Sequence, residues 1–135
     1  MTKYSDLLGE WLIEMGYTHC FFVAGGGIMH LLDGFRSRFE CVPVVHEMTA
    51  GICAEHFNQC AHHGQRAFAL VTTGPGLTNI VTAVAGCYVE HRELLVIAGQ
   101  VKSTDLLTHP ERQRGVHEVD GAAICEPISV HSECL

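Results

Sequence analysis

The sequence predicts one α/β domain, residues 1–135, in which a doubly wound parallel sheet lies between two layers of helices. The length fits a single domain, and 47% of the residues are hydrophobic, which is enough for a sizeable core. Short apolar runs alternate along the chain with segments of helical periodicity. These runs show no regular polar alternation, so we expect both faces of each strand to be buried under helices.

The N-terminal half predicts an alternation of helix and strand. Apolar side chains recur at helical spacing from Leu7 onward; Ser5 or Asp6 is a candidate cap for that helix, and Gly16 is suited to end it. Pro43 indicates a strand that begins there or lies at the sheet edge. The elements predicted after the first helix are strand 20–24, helix 28–35, strand 41–45 and helix 47–60.

A charge-free window at residues 67–89 is long enough to span a bilayer. Its middle contains Gly74-Pro75-Gly76, so we predict a strand, a turn and a helix rather than a membrane span. Residues 102–120 have much charge and little periodicity, which indicates a long loop, and loops of that length are often functional. The elements predicted in this half are strand 67–72, turn 73–76, helix 77–88, strand 94–98, helix 119–125 and a short extended end at 127–130.

The composition argues against several function classes. Lys and Arg number 8 against 15 Asp and Glu and are scattered, which disfavours nucleic-acid binding. The first residues contain no long apolar segment, so no secretory signal is predicted. Seven cysteines without a CxxC pair indicate reduced thiols in a cytoplasmic protein. The adjacent His62 and His63 would point in different directions on a helix, and no metal-ligand spacing occurs, so no metal site is predicted.

Polar or glycine-rich segments follow the predicted strands. Gly25 to Gly27 follow the first strand, His46 and Glu47 the second, TTGPG the third and Gln100 the fourth. Ligands of open α/β sheets bind beyond the carboxyl ends of the strands. We therefore expect these segments to converge on one edge of the sheet and to form a ligand site.

The glycine segment AGGGIMH admits a functional and a structural interpretation. Gly25 and Gly27 fit the dinucleotide fingerprint GxGxxG, and Glu47 lies about 20 residues on, where that fingerprint has its ribose-binding acid. A nicotinamide-binding module is therefore an alternative. Against it, His30 occupies the third glycine position, where helix and strand pack closely. The structural interpretation is a tight turn without a ligand.

The segment TTGPGLTN predicts a rigid turn between an apolar strand and a helix. Its backbone N–H groups at the helix N-terminus would face a ligand or a partner subunit. The segment lacks the lysine of the GxxxxGK[ST] phosphate loop, so a phosphate site of that type is not predicted. A purely structural turn is the alternative.

Glu47 begins a predicted helix, where the macrodipole stabilises a carboxylate that needs no function. Its apolar neighbours are Val44, Val45, Met48, Ala50 and Ile52. We therefore expect a poorly solvated site, in which a carboxyl group retains a proton more readily and is suited to proton handling.

Four segments occur in an order that is typical of a known family. They are FFVAGGGIMHLLD, VVHEMTAGICAEHF, VTTGPGLTNIVTAVAGCYVEHRELLVIAGQV and HEVDGAAICEPI. Together they resemble the N-terminal pyrimidine-binding (PYR) domain of thiamine-diphosphate enzymes of the acetolactate synthase and 2-keto acid decarboxylase type, over about residues 4–130. The resemblance implies a flavodoxin-like, three-layer fold and a thiamine diphosphate cofactor that is bound on its pyrimidine side only.

The resemblance also implies roles for single residues. Glu47 matches the glutamate that hydrogen-bonds N1′ of the aminopyrimidine and promotes the tautomer that removes the C2 proton of the thiazolium ring. His117 matches a substrate-facing glutamine of acetolactate synthases and is, with Glu47, a catalytic candidate. The implied cofactor-binding residues are Ala24, Gly25, Gly26, Glu47, Thr73, Gly74, Pro75 and Asn79.

The chain departs from the family in two respects. His117 and the segment His56-Phe57-Asn58-Gln59 replace family residues, so a related decarboxylase or carboligase acting on another small 2-keto acid fits as well as acetolactate synthesis. The GDG motif of the diphosphate-binding (PP) domain is absent. The resemblance therefore implies that a PP domain holds Mg²⁺ and the diphosphate, either in another subunit of a homo- or hetero-oligomer or in a missing part of the same chain. A non-catalytic regulatory or remnant domain is the third interpretation.

Overall fold

The computed structural model describes residues 3–61, 64–106 and 112–135. The helices are α1 (Tyr4–Glu14), α2 (Met29–Phe35), α3 (Glu47–Cys60), α4 (Pro75–Val89) and α5 (Gly121–Cys125). The strands are β1 (Tyr17–Phe22), β2 (Glu40–Pro43), β3 (Arg66–Val71) and β4 (Val96–Ala98). Short 3-10 turns are formed by Gly26–Ile28, Ser103–Asp105 and Glu126–Ile128.

The four strands of the described residues form one parallel sheet in the order β2-β1-β3-β4. β1 pairs with both β2 and β3, and β4 pairs with β3. The predicted α/β class with a parallel sheet is confirmed. The strand order reverses between β1 and β3, and in such sheets a crevice opens beyond the carboxyl ends of the two strands at the reversal.

Helices cover both faces of the sheet, which confirms the predicted three layers. α1 and α2 contact each other on one face, and α3 and α4 contact each other on the other. The side chains of β3 alternate between two cores: Phe68 and Leu70 join the cluster under α1 and α2, whereas Ala67, Ala69 and Val71 face α3 and α4. All five are completely buried, as expected for a strand between two helical layers.

Small side chains build the α3–α4 layer. Ala50 and Ala54 of α3 and Ala83 of α4 are buried together with Ile80. A Cβ atom placed on Gly51 would lie 2.5 Å from the Cβ of Ala83, which is closer than two such carbon atoms approach. The glycine therefore allows the two helices to cross at a short distance.

The predicted cap of α1 is wrong. Lys3 is the N-cap, and no side chain of the described residues caps that end. Ser5 is instead buried beneath Gly34. A Cβ atom added to Gly34 would lie 2.9 Å from the Cβ of Ser5. Asp6 Oδ1 accepts a hydrogen bond from Arg38 at 3.2 Å. Both side chains are therefore used in packing α1 against α2.

Other boundaries shift for identifiable reasons. β1 begins at Tyr17 rather than at residue 20, because Tyr17 pairs with Arg66 of β3. The predicted extended end at 127–130 is wrong, since Glu126–Ile128 forms a 3-10 turn that begins around a proline. The predicted end of α1 is confirmed, because Gly16 has a φ of +87°.

Two further predictions concern whole segments. β2 is an edge strand with Pro43 as its last residue, as the proline predicts. Residues 67–89 form β3, a turn and α4, which confirms that interpretation of the charge-free window. In the described ranges, every helix is too short or too polar to cross a membrane. The histidine pair at 62–63 and residues 107–111 of the predicted long loop lie outside the described residues.

Candidate functional site

The segments that follow β1, β3 and β4 meet at one edge of the sheet. The backbone N–H of Gly27 donates to Thr72 Oγ1 at 3.1 Å. A Cβ atom on Gly25 would lie 2.5 Å from Thr72 Cβ, so this approach requires a glycine. A Cβ atom on Gly99, which follows β4, would likewise lie 2.5 Å from the carbonyl oxygen of Gly27. The edge therefore contains a compact set of backbone segments with few side chains between them.

Glu47 is the first residue of α3 and is only 8% exposed. His46 caps the helix, because its Nδ1 accepts a hydrogen bond from the N–H of Met48 at 3.2 Å. The poor solvation agrees with the sequence context, although two of the five predicted apolar neighbours do not contribute to it. Val45 is 97% exposed and Ile52 is 41% exposed, so these neighbours do not cover the carboxylate. The N-terminal turn of α4 covers it instead.

The two carboxylate oxygens of Glu47 have different surroundings. Asn79 Nδ2 donates to Oε2 at 3.0 Å. Oε1 lies 3.5 Å from the position of a Cβ atom on Gly76, and it accepts no hydrogen bond from the described residues. Since no completely buried polar side-chain atom in those ranges lacks a partner, Oε1 retains contact with solvent. One oxygen is thus held by a hydrogen bond, and the other has no partner among the described residues and is partly accessible to solvent.

The turn before α4 forms a wall of backbone at this edge. Gly74 has a φ of +64°, a conformation that favours glycine. A Cβ atom on Gly74 would lie 2.2 Å from the carbonyl oxygen of His117, and one on Gly76 would lie 2.7 Å from Thr72 Cγ2. Pro75 begins the helix between them. The turn therefore has no room for side chains at either glycine.

His117 lies on a loop that folds back over the Gly74 turn. It is exposed and has a φ of +57°, which is uncommon for a residue other than glycine. Gln100 fastens this loop, since its Nε2 donates to the carbonyl oxygen of Val119 at 3.0 Å. A cavity of about 430 Å³ opens there, and its lining includes Gly26, Gly27, Thr72, Thr73, Gln100 and His117.

The predicted site residues fall into two neighbouring groups. Glu47 and Asn79 form a hydrogen-bonded pair between the starts of α3 and α4. Gly26, Thr73 and His117 line the cavity. No hydrogen bond or ion pair of the described residues joins the two groups directly. The remaining predicted residues, at the ends of β1 and β3, are Ala24, Gly25, Gly74 and Pro75.

Two polar residues of this edge, Thr72 and Gln100, lie in segments that the sequence predicts to converge there, but they are not among the predicted site residues. The sequence places Thr72 inside the third strand, whereas β3 ends at Val71 and Thr72 Oγ1 accepts the hydrogen bond from Gly27. A polar side chain at the carboxyl end of an apolar strand is the signal that identifies both positions.

A second buried carboxylate on α3 provides a contrast with Glu47. Glu55 is 5% exposed, and its Oε1 lies 2.6 Å from Arg92 Nη1. His56 also contacts this carboxylate. The hydrogen bond to Glu55 raises the pKa of Arg92. Within residues 3–61, 64–106 and 112–135 no cationic side chain pairs with Glu47 in this way, so its only side-chain partner there is neutral.

Comparison with known proteins adds a family match to this geometry. The family model described as thiamine pyrophosphate enzyme, N-terminal TPP binding domain, matches residues 2–124. Acetolactate synthase large subunit of Buchnera aphidicola subsp. Acyrthosiphon pisum (strain APS) is 33% identical over 95% of this chain and 22% of its own length. Acetolactate synthase isozyme 3 large subunit of Escherichia coli (strain K12) is 30% identical over 98% of this chain and 22% of its own length. Sulfoacetaldehyde acetyltransferase of Castellaniella defragrans is 28% identical over 76% of this chain and 17% of its own length. The chain thus spans about a fifth of the length of these relatives.

Proposed function

The chain belongs to the thiamine pyrophosphate enzyme family, as an N-terminal TPP-binding domain, and we propose that it supplies the pyrimidine side of a thiamine-diphosphate site. The complete enzyme acts on a 2-keto acid by decarboxylation or carboligation, in the manner of an acetolactate synthase. The single observation that carries this proposal is the buried carboxylate of Glu47, with one oxygen held and one open at the ligand edge of the sheet.

The residues at this edge fit a flat aminopyrimidine ring. The open Oε1 of Glu47 is an acceptor for a ring nitrogen that bears a proton. The Gly74–Gly76 turn offers a wall of backbone, against which a flat ring packs more closely than against side chains. Ala24, Gly25 and Gly26 form the loop after β1, beside Thr72, and two of these three residues have no Cβ atom.

Glu47 handles a proton in the proposed site. When bound, thiamine diphosphate supplies the electron sink for decarboxylation of a 2-keto acid. The role of Glu47 is to accept the hydrogen bond of the protonated ring nitrogen at Oε1 and to exchange that proton with it. The burial of the carboxylate supports this role, because a low local dielectric strengthens the hydrogen bond.

A PP domain completes the site in this proposal. The chain spans about a fifth of the length of its relatives and contains no GDG motif. Among the described residues, no group of three His, Cys, Asp or Glu side chains is placed to hold a metal ion. We therefore assign Mg²⁺ and the diphosphate to a PP domain, located on another subunit of an oligomer or in a further part of the same chain.

The proposed substrate is a small 2-keto acid that enters the cavity beside His117. An imidazole there can donate or accept a hydrogen bond, which suits a keto acid carboxylate or carbonyl. The similar proteins include both acetolactate synthases and an acetyltransferase, so the carboligation partner is left open. A cytoplasmic location is part of the proposal and is supported by seven cysteines that are all free thiols.

Glu47→Gln tests the proposal in the chain co-expressed with a PP-domain protein. We expect keto acid turnover and exchange of the cofactor C2 proton to fall by about 100-fold or more, since general acid–base groups contribute at least that much. Glu55→Gln is the matched control. It alters a buried carboxylate of the same helix, but this carboxylate contacts Arg92 and does not lie at the ligand edge of the sheet. With folding verified by circular dichroism, unchanged rates for Glu47→Gln would refute the assignment.

A nicotinamide-binding module is the second candidate, favoured by the spacing of the glycines and Glu47. The objection based on His30 does not hold, since His30 is exposed. The strand order β2-β1-β3-β4 is a stronger objection, because it is the flavodoxin-like order and not the 3-2-1-4 order of dinucleotide folds. Saturable binding in an NADH fluorescence titration would reverse this ranking. A non-catalytic remnant, in turn, predicts that no PP-domain protein co-purifies with the chain.

A further inference from the structure

We infer that Asn79 is a positioning residue, whose side-chain amide holds Oε2 of Glu47 so that Oε1 faces the ligand. The inference rests on the proposed function of Glu47. It also assigns Asn79 a role other than direct contact with the cofactor. The hydrogen bond of 3.0 Å between Asn79 Nδ2 and Glu47 Oε2 is the observation that carries it.

The bond joins two elements that are separate in the chain. Glu47 is the first residue of α3, and Asn79 lies in the second turn of α4, 32 residues further on. A carboxylate only accepts hydrogen bonds, so the amide presents its N–H group to Oε2. The opposite orientation of the amide would bring two acceptor oxygens together. The pairing is therefore specific in direction as well as in position.

Anchoring one oxygen determines where the other lies. A glutamate side chain has several rotatable bonds, and a hydrogen bond from a packed helix removes much of that freedom. With Oε2 held by Asn79, Oε1 is directed to the space over Gly76, where a Cβ atom would be 3.5 Å away. The first two turns of α4 thus hold one oxygen and leave room beside the other.

A neutral donor is suited to a carboxyl group that exchanges a proton. A cation at position 79 would stabilise the ionised form strongly, as a charge-assisted pair does. Glu55 shows that this chain does place a cation, Arg92, beside a buried carboxylate of the same helix. At Glu47 the partner is an amide, which orients the group without adding a charge. An asparagine at this position therefore orients the carboxylate without the ion pair that a cation would form with it.

The contact itself is tested by NMR on the chain without cofactor. We expect the side-chain amide signals of Asn79, assigned with Asn79→Leu, to shift when Glu47→Gln is introduced, because the carboxylate acceptor is lost. Glu55→Gln should leave those signals in place. Asn79 amide signals at the position of free asparagine, and insensitive to Glu47→Gln, would overturn the inference irrespective of any activity.

The role is tested with a double-mutant cycle in the chain paired with a PP-domain protein. We expect Asn79→Leu to slow exchange of the cofactor C2 proton by about 10- to 100-fold, as when a group that orients a reacting ligand is lost. Asn79→Leu combined with Glu47→Gln should be no slower than Glu47→Gln alone, because Asn79 acts through Glu47. Thr78→Val, which alters the neighbouring residue of α4, is the control expected to exchange normally.

The outcomes separate the two proposals. Multiplicative losses for Asn79→Leu and Glu47→Gln would mean that Asn79 contacts the cofactor independently, which overturns the positioning role and leaves the proposed function intact. Full exchange activity in Glu47→Gln would instead overturn the proposed function, even where NMR shows the Asn79 contact. A loss of exchange in Asn79→Leu that is absent in the Glu47→Gln background supports both.

Discussion

Glu47 and Glu55 are buried carboxylates of the same helix, and their partners decide what each can do. The guanidinium of Arg92 neutralises Glu55, whereas an amide orients Glu47 and leaves one oxygen open. The sequence predicts Glu47 because it follows a strand. It contains no comparable signal for Glu55, because the Arg92 partner is 37 residues away and is brought near only by the packing of α3 against α4.

Cys20 and Cys41 are register partners on β1 and β2, so their thiols are neighbours on the sheet. Hydrogen bonding from the Cys20 thiol lowers the pKa of Cys41, whereas its role as donor, together with burial, raises the pKa of Cys20. We expect Cys20→Ala to move the pH profile of Cys41 alkylation to higher pH, because the Cys41 thiolate loses its donor. Iodoacetamide labelling with peptide mass spectrometry measures the profile.

Two controls accompany that experiment. Cys20→Ser should restore the profile of Cys41, because a hydroxyl group also donates. The pKa of Cys125 is raised by burial alone, so its labelling profile should be the same in all variants. A Cys41 profile that stays in place or moves to lower pH in Cys20→Ala would contradict the hydrogen-bond account.

At the scale of elements, the crossing of α3 and α4 depends on one glycine. We expect Gly51→Ala to lower the free energy of unfolding by about 1–3 kcal/mol, because the added methyl group overlaps Ala83. Gly86 lies on α4, and a Cβ atom added there would have no other atom of the described residues within 4 Å. We therefore expect Gly86→Ala to raise the free energy of unfolding by about 0.5–1 kcal/mol, because alanine is favoured over glycine inside a helix. Urea denaturation measures both. Equal effects of the two substitutions would refute the packing argument.

The sequence predicts elements well where local signals agree with tertiary packing. α3 has the predicted bounds, because it begins after a strand end and stops where the polar segment starts. The errors occur where a tertiary contact overrides the local signal. Asp6, a good cap by type, is instead bonded to Arg38. β1 begins three residues early, because pairing with β3 extends the strand back to Tyr17.

At the scale of the whole molecule, the apolar runs predict a parallel sheet between two layers, but they do not predict the strand order. The adjacency of β1 and β3 follows from the resemblance to a flavodoxin-like domain, which the structure confirms. That adjacency places the Gly25 segment beside Thr72 and creates the crevice at the reversal of strand order. The convergence of strand ends was therefore predictable in kind, whereas the contacts that build the site were not.

We propose an oligomeric assembly that uses the C-terminal end of α4. The predicted helix 77–88 is largely apolar, which makes it suited to pack against a second copy, but Ile80, Ala83 and Cys87 are buried within the chain. Tyr88 is 47% exposed and Val89 is 73% exposed, which leaves these side chains for a second copy or a partner. The proposed contact is therefore limited to the last turn of α4.

Sedimentation velocity at micromolar concentration measures this association. We expect Val89→Lys to shift the distribution toward monomer, because an ammonium group is costly to bury in an interface. Met15→Lys is the matched control, since Met15 is 51% exposed beside α1, on the other layer of the sheet. An unmodified chain that sediments as a monomer with no partner bound would contradict the proposal.

Gly51 and Ala83 each follow a site residue by one helical turn, since Gly51 is four residues after Glu47 and Ala83 is four residues after Asn79. The short distance between α3 and α4 at this crossing therefore sets the distance between the side chains of Glu47 and Asn79. Any side chain that widens the crossing also lengthens the span that this bond must bridge. The direction in which Oε1 of Glu47 points therefore depends on the absence of a methyl group at Gly51, a residue one helical turn away from the site.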